Sequence, residues 1–115
     1  MKKNRLISIS KIVGIMVVSF ILTFSGKAQT TYYSTDSDDW DENSTWSTVS
    51  HSSNANAGTY PVAGDIVYIE GDKIDVVNAS ACAEVFLNGG SGDTELKVKN
   101  SSGILTVSGN VTADN

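Results

Sequence analysis

The sequence predicts an all-β fold, and three observations support this prediction. From residue 60 onward, short runs rich in β-branched and aromatic residues alternate apolar and polar positions, which is the pattern of strands. Gly, Asn, Ser and Asp separate these runs, as they do in turns. No run after the first 28 residues has the i, i+3, i+4, i+7 spacing of an amphipathic helix, so no substantial helix is expected there.

The first 28 residues have the organisation of a secretory signal peptide, which predicts an N-terminal signal helix. A basic start precedes an uncharged run over residues 12–26, and Gly26 and Ala28 occupy the small-residue positions before a cut at Gln29. An uncharged run of about 15 residues is short for a spanning helix, which needs about 20. We therefore expect export, with cleavage between Ala28 and Gln29 and no stable membrane span afterwards. An uncleaved membrane anchor is the alternative.

Charge divides the chain into two unlike parts. Residues 1–27 hold five bases and no acid, whereas the remainder holds three lysines against all 13 acids. A strongly acidic mature chain does not suit nucleic acid, because phosphate binding needs Lys and Arg. The same repulsion opposes docking on anionic lipid.

Residues 29–58 form a polar lead-in, rich in Ser, Thr, Asn and Asp, in which aromatic residues provide most of the apolar surface. We expect one short strand at Thr31–Ser34 and otherwise irregular structure. Trp40 and Trp46 are candidate ligand contacts, since exposed aromatic rings stack on sugars. The favoured interpretation is that they cap the apolar end of the following coils, as stacked-repeat proteins require.

Residues 59–115 carry the predicted strands, and pairs of apolar residues two positions apart recur along them. Such a pair shares one strand face. Every second pair begins about 20 residues later, as in a β-solenoid whose coils must stack to bury their apolar faces. In the pair Leu96 and Val98 we expect both side chains to face the core. The pairs are Ile74-x-Val76, Val85-x-Leu87, Leu96-x-Val98, Leu105-x-Val107 and Val111-x-Ala113.

An antiparallel β-sandwich is the alternative architecture. The run NGGSGD at residues 88–93 could close a hairpin between EVFL and ELKV. The solenoid is favoured because the pairs are very short and the polar corners recur. Gly109 and Asn110 are expected to form one such corner.

Three parts of the chain resemble the start of large secreted surface β-solenoid proteins of the Bacteroidota. The lead-in is similar in its spaced Trp residues, the stretch YPVAGDIVYIEG resembles the G8 domain, and LTVSGNVT is similar to a solenoid rung. This resemblance implies a right-handed parallel β-helix, typically part of a much longer protein. The residues that fit are Ser34, Trp40, Trp46, Ser47, Pro61, Gly64, Asp65, Val67, Ile69, Leu105, Thr106, Val107, Gly109, Asn110, Val111 and Thr112.

The sequence offers little for catalysis or for a cofactor. His51 is the only His and lies in a polar loop, so a surface role is expected rather than that of a base in a triad. The run DSDDWDEN fails the EF-hand pattern, so no cofactor is expected, and calcium at Asp36, Asp38 and Asp41 is the weak alternative. Cys82 has no partner for an internal disulfide, and burial as a small apolar residue is its expected role.

The final residues 101–115 read as a cut through a repeat, because Leu105, Val107 and Val111 would leave an open stacking edge. We expect a non-catalytic exported segment, structural or adhesive, forming the N-terminal part of a larger cell-surface protein whose partners are glycans or other surface proteins. The alternative is a carbohydrate-binding or carbohydrate-processing module whose active part lies further downstream.

Overall fold

The computed structural model describes residues 27–90 and 92–114, and within them the chain is built almost entirely of short strands. The only helical segment among these residues is a 3-10 turn at Asn43–Thr45. The predicted signal helix lies outside the described residues. The strands are β1 (Thr31–Ser34), β2 (Trp46–Ser47), β3 (Ile66–Glu70), β4 (Lys73–Val76), β5 (Ala79–Cys82), β6 (Glu84–Asn88), β7 (Glu95–Val98), β8 (Ile104–Val107) and β9 (Val111–Asp114).

The strands form one mixed sheet and two small parallel sheets. The first sheet has the order β2-β1-β3-β6-β9, and only its β1–β2 pair is antiparallel. The other two sheets pair β4 with β7 and β5 with β8. The all-β class and the strand at Thr31–Ser34 are therefore confirmed.

The chain visits the three sheets in the same order twice. We call β3, β4 and β5 the first turn, and β6, β7 and β8 the second turn. Each strand of the second turn pairs in parallel with its counterpart in the first, and β9 then returns to the first sheet beside β6. Corresponding inward positions therefore lie beside one another, as Val67, Val85 and Val111 do.

Two glycines allow the corners of the second turn to lie close to those of the first. A Cβ atom on Gly103 would collide with the carbonyl oxygen of Val76. A Cβ atom on Gly109 would lie 2.7 Å from the carbonyl oxygen of Ala83, to which the Gly109 N–H donates a hydrogen bond. The predicted corner at Gly109 is thus present between β8 and β9, and its glycine is required by close backbone approach.

The core lies beneath the lead-in and inside the first turn. Trp40 and Trp46 are fully buried, with ring centroids 5.3 Å apart, and the inward side chains of β3 and β4 pack with them. Burial decreases toward the second turn, where Leu96 is half-buried and Val98 is 53% exposed. Inward apolar pairs thus form a core only where a neighbouring turn covers them.

Two expectations about pairing and burial are wrong in detail, and one alternative that the sequence left open is excluded. The hairpin across residues 88–93 does not form, because β6 and β7 belong to different sheets. Leu105 does not continue the row of Val85, since it pairs with Ser80 in the third sheet. Val98 lies in register with the buried Val76, but no described strand covers its other side.

Candidate functional site

A row of aromatic rings runs across the outer face of the first sheet. Tyr33, Tyr68 and Phe86 occupy one register position on β1, β3 and β6, between inward-facing neighbours. Their rings stack nearly parallel, with centroids 5.5 Å and 4.6 Å apart. These distances follow from the spacing of neighbouring strands, about 4.8 Å. The ring faces therefore contact one another, and the ring edges remain for solvent or a ligand.

His51 closes one end of this aromatic row. Its ring meets Tyr33 edge-on at a centroid distance of 5.3 Å. Its Nδ1 atom lies 2.8 Å from the carbonyl oxygen of Ser34, which can only accept, so Nδ1 carries the proton. Its Nε2 atom lies 3.8 Å from a carboxylate oxygen of Glu70. His51, for which a surface role was expected, thus contacts Tyr33, Ser34 and Glu70.

The Ser34, His51 and Glu70 group does not have the geometry of a hydrolytic triad. The Ser34 hydroxyl lies 3.5 Å from His51 Nδ1, but that nitrogen already donates to the Ser34 carbonyl oxygen. Ser34 is fully buried, and its hydroxyl oxygen accepts the N–H of Glu70 at 3.2 Å. A nucleophile needs a base that can accept its proton and access to substrate, and Ser34 has neither here. The group fixes the lead-in to β3 instead.

Trp40 and Trp46 have no ring face open to a ligand. The Trp40 indole N–H donates to the carbonyl oxygen of Pro61 at 3.1 Å, and the Trp46 indole N–H donates to that of Trp40 at 2.7 Å. Both side chains are 0% exposed, and Tyr32 packs edge-on against Trp46. This packing favours the cap interpretation over sugar contact, because a buried indole with a satisfied N–H is a structural anchor.

The acidic lead-in does not bring its carboxylates together around a metal position. Asp36 and Asp38 accept the N–H of the residue that follows each, and Asp41 accepts the side-chain amide of Asn78 at 2.7 Å. Within residues 27–90 and 92–114, no group of three or more His, Cys, Asp or Glu side chains could hold a metal ion. Asp36 and Asp38 therefore accept local backbone hydrogen bonds, and Asp41 accepts a hydrogen bond from Asn78, which is distant in sequence.

Asp65 is a buried carboxylate that sequence reasoning treated only as part of a motif. It is 1% exposed and lies just before β3. Its oxygens accept the backbone N–H of Thr30 at 3.1 Å and of Val62 at 3.0 Å, and Lys27 Nζ lies 3.4 Å away. The signal available in the sequence was an acidic residue directly before the apolar run of β3. Asp65 thus connects the start of the lead-in to the first turn.

Cys82 is buried at the end of β5, as the sequence indicated. Burial and, to a smaller extent, the charge of Asp65 raise the pKa of the Cys82 thiol from 9.0 to about 11. A thiol attacks electrophiles and binds metals as the thiolate, so this environment suppresses its reactivity. The residue fills space in the core.

The second turn ends in strand edges that no described strand covers. Among the described strands, β7 and β8 each pair on one side only, and β9 pairs only with β6. Apolar side chains lie along this edge, including Val98, Ile104 and Val111, each more than half exposed. Unpaired N–H and C=O groups beside apolar side chains form a surface that another strand can extend.

Comparisons with known proteins do not identify the chain: no protein-family model, curated protein or solved structure matches it. Among the described residues, no helix has the length and apolar character needed to cross a membrane. The exposed Lys27, Ala28 and Gln29 precede β1, and residues 1–26 of the predicted leader lie outside the described residues.

Proposed function

We propose that this chain is a non-catalytic, exported segment with a structural or adhesive role at the cell surface. In this proposal, residues 29–58 form the cap and residues 59–115 the first turns of a right-handed parallel β-solenoid. Further turns of a larger protein stack on the open edge of the second turn.

One observation carries this proposal. The three strands of the second turn pair in parallel with the three strands of the first, in the same order, and β9 begins the same order again. An antiparallel sandwich would require hairpin pairs between consecutive strands, and among the described strands only β1 and β2 pair in that way. Repetition of one unit on its neighbour is the construction principle of solenoids.

The distribution of exposed apolar side chains supports the role of an end segment. Trp40 and Trp46 close the first turn on one side, whereas Val98 and Val111 lie uncovered on the other. Stacked-turn proteins bury such positions by adding the next turn. The resemblance to exported surface proteins of the Bacteroidota supports the same location and role.

A tandem duplication tests the proposed architecture. Because Val85 is in register with Val111, a copy of residues 85–110 inserted after Asn110 would add one whole turn. The added turn should stack on the second turn, increase the β-sheet signal in circular dichroism and raise the urea midpoint of unfolding. Stacked repeats gain stability with each added unit.

Two comparisons make this experiment decisive. An insertion of equal length composed of Gly and Ser should leave the urea midpoint unchanged or lower it. A duplication whose copied Leu96 and Val98 are both replaced by Ser should lose most of the gain, since these side chains would cover the original Leu96 and Val98. If the intact duplication behaves like the Gly-Ser insertion, the solenoid proposal fails.

Export is tested separately by the mass of material secreted from a bacterial host. The proposed leader predicts a mature chain that begins at Gln29. Secreted or surface-attached material that keeps residues 1–28 would instead support an uncleaved anchor.

A carbohydrate-binding role is the second candidate, and the aromatic row is the observation that favours it. The buried Trp pair cannot supply the contact, but the ring edges of the aromatic row are not covered by stacking, and His51 with Glu70 lies at its Tyr33 end. A glycan array probed with residues 29–115 and with a Tyr68→Ser variant tests this role. Binding that disappears in Tyr68→Ser with the fold retained would favour it over a purely structural role.

A further inference from the structure

Asp65 lies at the place where the proposed mature chain begins. Thr30, the second residue after the predicted cut, donates its N–H to one Asp65 carboxylate oxygen at 3.1 Å. The side-chain amide of Gln29 donates to the carbonyl oxygen of Gly64 at 3.1 Å, which fixes Gln29 beside Asp65. Successive backbone nitrogens are about 3.5 Å apart, so the nitrogen of Gln29 lies about that far from the Thr30 nitrogen, which donates to Asp65.

The charge that now faces Asp65 belongs to the leader. Lys27 Nζ lies 3.4 Å from the second carboxylate oxygen, and its side chain is 60% exposed. Removal of residues 1–28 would remove this cation. No Lys or Arg then precedes Lys73, and the structure places Lys73 beside Asp93 and Lys99 beside Asp75.

A carboxylate that is 1% exposed is costly to keep charged without a positive partner. Its two backbone donors, the N–H groups of Thr30 and Val62, reduce this cost but carry no net charge. Cleavage itself creates one new cation in this region, the α-ammonium group of the first residue.

We propose that Asp65 binds the α-ammonium group of Gln29 after the leader is removed, so that processing completes the fold of the lead-in. The inference rests on the cleaved leader of the proposed function. Lys27 holds the site in the precursor, and the new N-terminus replaces it. The ligand class is a primary ammonium supplied by the chain itself.

The pKa of the N-terminal amine tests this pairing. The test compares a chain that starts at Gln29 with its Asp65→Asn variant, after intact mass has confirmed that the amine is free. Labelling with an amine-reactive reagent between pH 6 and 10, read on the N-terminal peptide, gives the pKa. An ordinary α-amine has a pKa of about 7.7–8.0, and the carboxylate should raise it by at least about one unit, which slows labelling near pH 7 about tenfold.

Matched variants separate this contact from general charge effects. Asp36→Asn removes an acid that binds only its neighbouring N–H, so it should leave the amine pKa raised. A chain that starts at Lys27 places Lys27 Nζ on Asp65, so its α-amine should have the ordinary pKa. Cys82, the other titrating group near Asp65, has a pKa of about 11 and does not overlap this range.

An amine pKa in the ordinary range in the Gln29 chain would overturn the proposal, as would a raised pKa that persists in Asp65→Asn. If Asp65→Asn does not fold, acetylation of the Gln29 amine replaces it: the acetylated chain should unfold at lower urea, and an unchanged midpoint would overturn the pairing. All of these proteins have a defined first residue, so their behaviour is independent of export. Retention of the leader in exported material would refute the processing step and leave the measured pairing intact.

Discussion

The first and second turns have nearly the same pattern of inward residues, yet Val85 is the one described inward residue of the second turn that is fully buried. Val67, Val85 and Val111 share one register position on three neighbouring strands. The first two are completely buried, and the third is 59% exposed. The residue type is constant, so the difference comes from what lies on either side of each strand. Burial at this register position therefore depends on the neighbouring strands as much as on the residue.

The first turn is more deeply buried because both of its sides are covered. The lead-in covers it with Trp40, Trp46 and Tyr32, and the second turn covers its other side. In the second turn, β6 lies between β3 and β9, whereas β7 and β8 each have one covered side among the described residues. The free energy of unfolding should therefore depend strongly on the first turn and weakly on the second, which the following substitutions measure.

The largest difference in stability is expected between two variants that place a charge at either member of the register pair Val76 and Val98. Val76→Asp buries an unpaired carboxylate and should cost more than about 4 kcal/mol, enough to unfold a domain of this size. Val98→Asp, at the partner position that is 53% exposed, should cost about 1 kcal/mol or less. Urea unfolding followed by Trp fluorescence measures both. Equal costs would contradict the difference between the turns.

The corner between β7 and β8 should show the next largest effect. Gly103→Ala places a Cβ atom against the carbonyl oxygen of Val76 and should cost about 1–3 kcal/mol through displacement of the second turn. Ser102→Ala, in the same exposed corner, is the control and should change stability by less than about 0.5 kcal/mol. The urea midpoints report both values. A Gly103→Ala variant as stable as its control would show that the turns are not in close contact there.

The alkylation rates of a Cys at position 82 and of a Cys at its register partner, position 107, compare the two turns chemically. The pKa of about 11 leaves Cys82 almost wholly protonated at pH 8, with about a hundredfold less thiolate than a thiol at its ordinary pKa. Alkylation of native protein should be slow. A Cys placed by Val107→Cys in a Cys82→Ala chain should react faster, because β8 is covered on one side only. Comparable alkylation rates would contradict this difference.

The sign of the Cys82 effect on stability also follows from its raised pKa. The unfolded thiol ionises near 9.0, whereas the folded thiol does so near 11. The contribution of the Cys82 thiol to the free energy of unfolding is therefore complete below pH 9 and is lost as the pH rises toward 11. Cys82→Ala should flatten the stability profile in this interval, and an unchanged profile would show that the thiol is not responsible.

The smallest effect is expected at the ion pair between the outer faces of the two turns. Lys99 Nζ lies 2.8 Å from an Asp75 carboxylate oxygen, and this hydrogen bond and charge raise the pKa of Lys99. The pair is exposed to solvent, where such contacts contribute little and are screened by salt. Lys99→Gln should leave the thermal midpoint nearly unchanged at 0.15 M salt. A large loss would show that charge, rather than apolar contact, holds the turns together.

Much of the strand content was predictable because it depends on local pattern. The five apolar pairs identified in the sequence all lie in strands, and the short strand at Thr31–Ser34 is present as expected. β5 escaped prediction because its residues, Ala79–Cys82, are small and give no apolar alternation. Because β5 was not predicted, the sequence indicated two strands in each repeat, whereas each turn has three strands, one in each sheet.

Pairing and burial were less predictable because both depend on residues distant in sequence. The step of 22 residues from Ile74 to Leu96 is a true register pair, but the step from Val85 to Leu105 is not. Trp40 and Trp46 are fully buried, and their role as a cap stays a prediction. The aromatic row and the contacts of His51 and Asp65 could not be read from spacing, since loops of different length bring these residues together.

Hydrogen exchange of residues 29–115 tests the difference between the turns most directly. The amides of β3 and β4 should exchange only through global unfolding, and those of β7 and β9 should exchange at least about tenfold faster through local opening. Insertion of the duplicated turn should slow exchange in β7, which the new turn would cover, by a larger factor than in β3 and β4, whose exchange follows the rise in global stability. Equal protection in both turns of the unmodified chain would contradict the account.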